Sequence, residues 1–262
     1  MFGEGFFNVD EALQQNTLIS GSNNSGKTRL ACGLASTLYK MGFKIITFDT
    51  SGVWKKISDL PFYTTAYKFK DQTAISRLPK HSSGIYDLSL LKPSETKLVV
   101  NQIISEIWEN QVSDPTTKAT FIIFEESEIF LRNIRGEVSE SIYQCIHVGR
   151  NHKLRAILIT TDLALLDPSV IRLCSIRFHG NLNIEENSKR KFKSYYGKDW
   201  SRVAFEALDS GDFILLSNKK LTIKTVPLFK PTSKPQLHIE TKERIQTSQP
   251  QQLTAHGFTR YI

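Results

Sequence analysis

Cysteine is scarce and unpatterned in this 262-residue chain. Cys32, Cys145 and Cys174 stand singly in apolar surroundings with no C-x-x-C spacing, which excludes a disulfide framework and a cysteine-built zinc site. All three read as small buried residues. Long apolar runs are missing too. Nothing approaches the roughly 18 to 20 residues that cross a bilayer, and the start, Met1-Phe2-Gly3-Glu4-Gly5, lacks the basic opening of a secretory signal. The expectation is therefore a soluble, cytoplasmic protein without a membrane segment. Nor does acid dominate: 34 Lys and Arg against 26 Asp and Glu leave a formal charge of +8, which favours polyanionic partners. A hydrophobic fraction of 40% is ordinary for a globular domain and argues against disorder over most of the length.

Against these absences one stretch stands out. Gly21-Ser22-Asn23-Asn24-Ser25-Gly26-Lys27-Thr28 has the spacing G-x-x-x-x-G-K-[ST]. Thr17 to Ser20 before it reads as a short buried strand, and Arg29 to Lys40 after it has the leucine and alanine spacing of a helix. Strand, loop and helix in that order are what a phosphate-binding loop requires. Gly21 and Gly26 permit a tight turn without a Cβ in the way, so that successive backbone N–H groups converge on phosphate oxygens. The helix adds the positive end of its dipole. In this reading Lys27 neutralises the β and γ phosphates of ATP, and the Thr28 hydroxyl is a Mg2+ ligand.

A second stretch completes the chemistry. Thr120-Phe121-Ile122-Ile123-Phe124 is a buried strand ending in Glu125-Glu126. Beside a phosphate loop, Glu125 is assigned to the metal, through water, and Glu126 to the base that orients or deprotonates the attacking water. Other strands are expected at Phe43 to Asp49, Ala156 to Thr161 and Cys174 to Gly180, with a hairpin of Gly211 to Leu216 against Leu221 to Val226. Gly42 is the expected stop of the first helix. Asp49 falls at a strand's carboxyl end, where open α/β sheets contact ligands. A helix opens at Pro93 to Glu95, capped by Ser94, with Leu98, Val99, Ile103, Ile107 and Trp108 on one stripe. Ser139 to His147 is a further helix lying against the sheet, with His147 in no metal-binding pattern. Thr160 and Thr161 end a strand beside the phosphate loop, where a hydroxyl can bond the γ phosphate.

Basic residues are also candidates. Arg150, in Gly149-Arg150-Asn151-His152-Lys153, could reach a phosphate across a subunit boundary. Lys189, Arg190, Lys191 and Lys193 interleave with Phe192, Tyr195, Tyr196 and Trp200, which suits a nucleic acid strand, although a solvated helix explains them equally well. Beyond Pro227 the prolines, serines and glutamines indicate an extended tail from about residue 230, able to dock on a capsid-like partner. The division is thus 1–229 for the ATPase domain and 230–262 for the tail.

From Leu18 to Phe229 the chain resembles the FtsK/HerA superfamily of P-loop motor ATPases, most of all its small viral genome-packaging branch. The likeness rests on GSNNSGKT, FIIFEE, VGRNHKLRAILITTD, LDPSVIRLCSIRFHG and GDFILL, in that order and spacing. It implies a RecA-like α/β fold with a mostly parallel central sheet flanked by helices, a homo-oligomeric ring, commonly a hexamer, and ATP hydrolysis that moves double-stranded DNA. It implies Arg150 as the arginine finger, with Arg155 and Arg172 as runners-up, and Thr161 in the place of a sensor glutamine. Two departures stand out: Glu125 replaces the commoner aspartate, and Thr161 the longer amide. Trp54-Lys55-Lys56 and Arg132 to Arg135 are the candidate pore segments. The alternatives are a conjugation or phage-assembly P-loop ATPase and a nucleotide-dependent binding module that barely hydrolyses ATP.

Overall fold

The computed structural model describes residues 8–60, 62–64, 83–114, 116–132, 140–182, 208–217 and 220–225. The opening segment, positions 133–135 of the second candidate pore segment, the basic and aromatic cluster at 189–200 and the tail from 230 lie outside them. So does the boundary at 229.

Short apolar runs become strands buried on both faces. The strands are β1 (Asn16–Ser20), β2 (Lys44–Asp49), β3 (Phe62–Thr64), β4 (Gly84–Asp87), β5 (Thr120–Phe124), β6 (Leu154–Thr160), β7 (Cys174–His179), β8 (Asp212–Ser217) and β9 (Lys220–Thr225). Among the described residues they form one sheet in the order β3-β4-β2-β5-β6-β1-β7-β8-β9. The first seven positions are parallel, and β8 and β9 close the far edge antiparallel, as the expected hairpin. The sheet is thus mostly parallel, as expected.

The pleat sorts neighbouring residues onto opposite faces. Leu18, Ile122, Phe124, Ala156 and Leu158 join one core with the helices α4 (Pro93–Ser113), α5 (Glu140–His147) and α6 (Pro168–Leu173). Ile19, Phe121, Ile123, Ile157 and Ile159 join the other with α1 (Val9–Ala12) and α2 (Lys27–Lys40). Two cores on two faces explain why these strands read as continuous apolar runs and not as alternating ones. Cys32, Cys145 and Cys174 are all buried.

The helix stop is as expected. Phe43 N–H donates to Leu38 O and Gly42 N–H to Tyr39 O, the paired bonds that end a helix at a glycine. The start of α4 differs. Pro93 is already helical and Lys92 is the N-cap, its N–H donating to the Glu95 carboxylate at 2.9 Å, so Ser94 lies inside the first turn. Among the described residues, no helix is long and apolar enough to cross a membrane.

Candidate active site

Three parallel strands bring the motifs together. Ser20 of β1 pairs with Thr160 of β6, and β6 pairs in turn with β5, where Phe124 faces Leu158. The phosphate loop and the two acids therefore leave the same edge of the sheet with one strand between them. The loop is tied at its base by Gly21 N–H to Thr160 O at 3.3 Å and Ser22 N–H to Asn181 O at 2.6 Å.

Gly26 is the hinge of the loop, with a φ of 95° that side chains rarely adopt. A Cβ there would also sit 3.4 Å from the Gly211 Cα, because the turn into β8 packs on the loop. Gly211 N–H donates to Ser25 O at 3.0 Å, and Ser210 Oγ to Asn24 O at 2.7 Å. Asn24 is left-handed as well, while Ser22 and Asn23 complete the turn. The late hairpin thus buttresses the loop from outside, which its sequence does not announce.

Lys27 is buried, and its Nζ folds back to donate to Ser22 O at 2.8 Å. Burial lowers its pKa, while Glu125, Glu128 and Glu126 act in the other direction. Thr28 Oγ1 donates to Glu125 Oε1 at 3.0 Å, a bond spanning 97 positions of sequence. Glu125 is buried, and that burial pushes its carboxyl up to about 7 against the hydrogen bonds from Trp54 and Thr28. Glu126 is exposed in a left-handed conformation, φ 50°, where the chain leaves β5, and its Oε2 accepts the Thr50 hydroxyl at 2.9 Å. The two acids therefore part company: one is turned inward to the loop, the other outward to solvent.

Thr161 lies at the end of β6 but bonds elsewhere. Its hydroxyl donates to Glu128 Oε1 at 2.8 Å, so Thr161 and Glu128 form a unit. Arg150 is exposed in the 3-10 turn Gly149–His152 ahead of β6. Seven residues of strand separate that turn from the phosphate-loop edge, on the order of 20 Å, so the structure does not bring Arg150 to its own chain's loop. Arg155 is no finger: it is buried and donates to the carbonyls of Leu13, Arg150 and Leu154. Arg172 is exposed near the start of β7, also at the far end.

Two expectations are corrected. Trp54 heads α3 (Trp54–Ile57) and is completely buried, with its indole N–H donating to Glu125 Oε2 at 2.6 Å, so it cannot line a pore. Lys56 beside it is exposed, and Lys55 pairs with Asp87 at 2.7 Å. Asp49 is equally buried and accepts from the backbone N–H groups of Ser51, Gly52 and Trp54, so it shapes the chain instead of facing a ligand. The aspartate followed by Thr50-Ser51-Gly52 was a legible turn signal. Ser127 had none. It is buried, donates to Phe124 O and accepts the Ile159 N–H, stitching the ends of β5 and β6 together.

No protein-family model matches the chain, and no curated protein matches it in sequence. Solved structures do. The genome packaging NTPase B204 from Sulfolobus turreted icosahedral virus 2, in complex with AMPPCP, superposes with a TM-score of 0.60 at 16% identity, over 82% of this chain and 99% of that one. The two chains share a fold. The same protein with ATP-gammaS gives a TM-score of 0.60 at 17% identity, over 83% of this chain and 98% of that one. VirB4 of Thermoanaerobacter pseudethanolicus gives 0.59 at 8% identity, over 81% and 89%. At such identities the likeness is one of fold, and it matches the resemblance drawn from the motifs.

Proposed function

We propose that this chain is an ATP-hydrolysing motor that translocates double-stranded DNA, of the kind that packages viral genomes, and that it works as a homo-oligomeric ring. The observation carrying the ATPase part is the 3.0 Å bond between Thr28 and Glu125, which joins phosphate loop and acid pair into one site. A hydroxyl and a carboxylate side by side are the hard oxygen donors that suit Mg2+. Among the described residues no three His, Cys, Asp or Glu cluster as a cage. Thr28 and Glu125 would hold the ion, which supplies charge neutralisation at the β and γ phosphates.

The chain's own residues do the rest. Backbone N–H groups of Asn23, Asn24 and Gly26 to Thr28 and the Lys27 ammonium bind the phosphates, so Lys27 exchanges its bond to Ser22 O for the ligand. Glu126, steadied by Thr50, takes a proton from the attacking water as its oxygen bonds to the γ phosphorus and the bond to the bridging oxygen breaks. Thr161 exchanges its hydroxyl bond to Glu128 for one to the γ phosphate, which it then orients. Arg150 can act only on a neighbouring subunit's ATP, which supports the ring. The charge of +8 supports a polyanionic track.

ATP turnover with and without duplex DNA tests the proposal. A motor is stimulated by duplex and loses the stimulation as salt rises. Arg150→Ala is expected to lose about a thousandfold in turnover while still binding ATP. Turnover indifferent to duplex would favour the second reading, a conjugation or phage-assembly P-loop ATPase. A nucleotide-dependent binding module would show ATP uptake and almost no turnover.

A further inference from the structure

The stretch from Thr50 to Trp54, which leads out of β2 into α3, supplies a donor to each of the two acids at the end of β5. Thr50 donates to Glu126 and Trp54 to Glu125. An indole N–H can only donate, and when buried it needs an acceptor. The acceptor here is one oxygen of a buried carboxylate, at 2.6 Å. The other oxygen of that carboxylate accepts from Thr28. Glu125 is therefore gripped at both ends, with Oε2 on the tryptophan side and Oε1 on the loop side.

Trp54 is itself firmly placed. Its backbone N–H donates to Asp49 Oδ2 at 2.9 Å, and Asp49 Oδ1 accepts from Gly52 N–H at 2.8 Å and from the Ser51 N–H and hydroxyl at 3.1 and 2.9 Å. Gly52 has a φ of 69°, and a Cβ on it would lie 3.0 Å from Ser89 Oγ. The ring sits in the same core as α2, with Leu30, Leu34 and Ile123. A bulky aromatic anchored by backbone and by core gives the carboxylate a fixed reference point.

We propose that Trp54 is a positioning residue for ATP hydrolysis: its indole N–H turns the Glu125 carboxylate so that Oε1 faces Thr28 and the cation arriving with ATP. The inference rests on the ATPase reading above. The Thr28 hydroxyl has one hydrogen, which it gives to Glu125, and its lone pairs remain for the cation. With Oε2 occupied by the indole, a single carboxylate oxygen is presented on the loop side. Without the indole the carboxylate is free to rotate, and both the hydroxyl and the metal's water shell lose a fixed acceptor. Partners of this kind behind a ligand are worth roughly ten- to a hundredfold in metal affinity.

Trp54→Phe keeps an aromatic ring and removes the N–H. The probe is Mn2+, read by its electron paramagnetic resonance signal, added to protein saturated with a nonhydrolysable ATP analogue. The variant is expected to bind the metal-free analogue within about twofold of the native protein, to bind Mn2+ about tenfold more weakly, and to lose kcat with little change in KM for ATP. Equal Mn2+ affinity in a folded variant overturns the inference. Should the variant fail to fold, the native ring is read directly: in a Trp108→Phe, Trp200→Phe background, Trp54 emission is expected to shift when Mg2+ joins the analogue-bound protein. Emission indifferent to Mg2+ overturns it as well. A native chain that takes up no analogue at all marks the failure of the ATPase reading instead, and removes this inference with it.

Discussion

His179 ends β7 wholly buried, its Nδ1 2.6 Å from the hydroxyl of Ser20, the residue before the phosphate loop. Burial, with the nearby Arg177 adding to it, lowers its pKa to about 3, against an ordinary value of about 6.5. The unfolded chain therefore binds a proton that the folded chain refuses, and the stability His179 contributes is complete above about pH 6.5 and falls as pH drops towards 3. Glu125, raised to about 7, works in the opposite direction above its ordinary value, so the test is a difference. Urea midpoints of native protein and His179→Asn, compared at pH 7.5 and 5.0, should show the native chain losing about 2 kcal/mol relative to the variant. Parallel losses in the two proteins would mean that His179 is accessible to protons. At this scale the phosphate loop was legible because its parts are contiguous. Trp54 and Glu125 were not legible as partners: 71 positions separate them, and only strand order brings them together.

Helix α4 shows what periodicity gives and where it slips. The expected stripe held Val99, Ile103 and Ile107, which are buried, and also Leu98, which is 70% exposed. The buried face is Thr96, Val99, Val100, Ile103, Ile104, Ile107 and Gln111, a band wide enough to cover the sheet, and Leu98 lies a quarter turn off it. Trp108 is half-buried, edge-on to His152 with ring centres 4.9 Å apart, so it is neither deep core nor an open stacking platform. Urea unfolding followed by circular dichroism should find Ile104→Ala less stable by about 2 to 5 kcal/mol and Leu98→Ala within about 0.5 kcal/mol of the native chain. A comparable loss from Leu98 would mean that its face is covered in solution. The central strands were legible element by element, because burial on both faces leaves short uninterrupted apolar runs. Strands β3 and β4 were faint, being short and set on the sheet's outer side, where Tyr86 and Asp87 break the apolar pattern.

For the molecule as a whole, topology decides what the motifs can do. Inserting β6 between β1 and β5 sets the acids one strand from the loop and turns the end of β6, with Thr161, into the gap between them. The same parallel strand places Arg150 at the opposite end of the sheet from its own chain's loop. No local pattern predicts such an order, and the resemblance implied a mostly parallel sheet without fixing which strands neighbour which. The account stands on a single site in which ATP is gripped by the loop and opened by Glu126. Its most direct test is Mg2+-dependent ATP turnover by the native chain and by Glu126→Gln, with ATP affinity measured on each by calorimetry. The expected result is affinity within about twofold and turnover lower by about a hundredfold to ten-thousandfold in the variant. Equal turnover in the two proteins, or no uptake of ATP by the native chain, would contradict it.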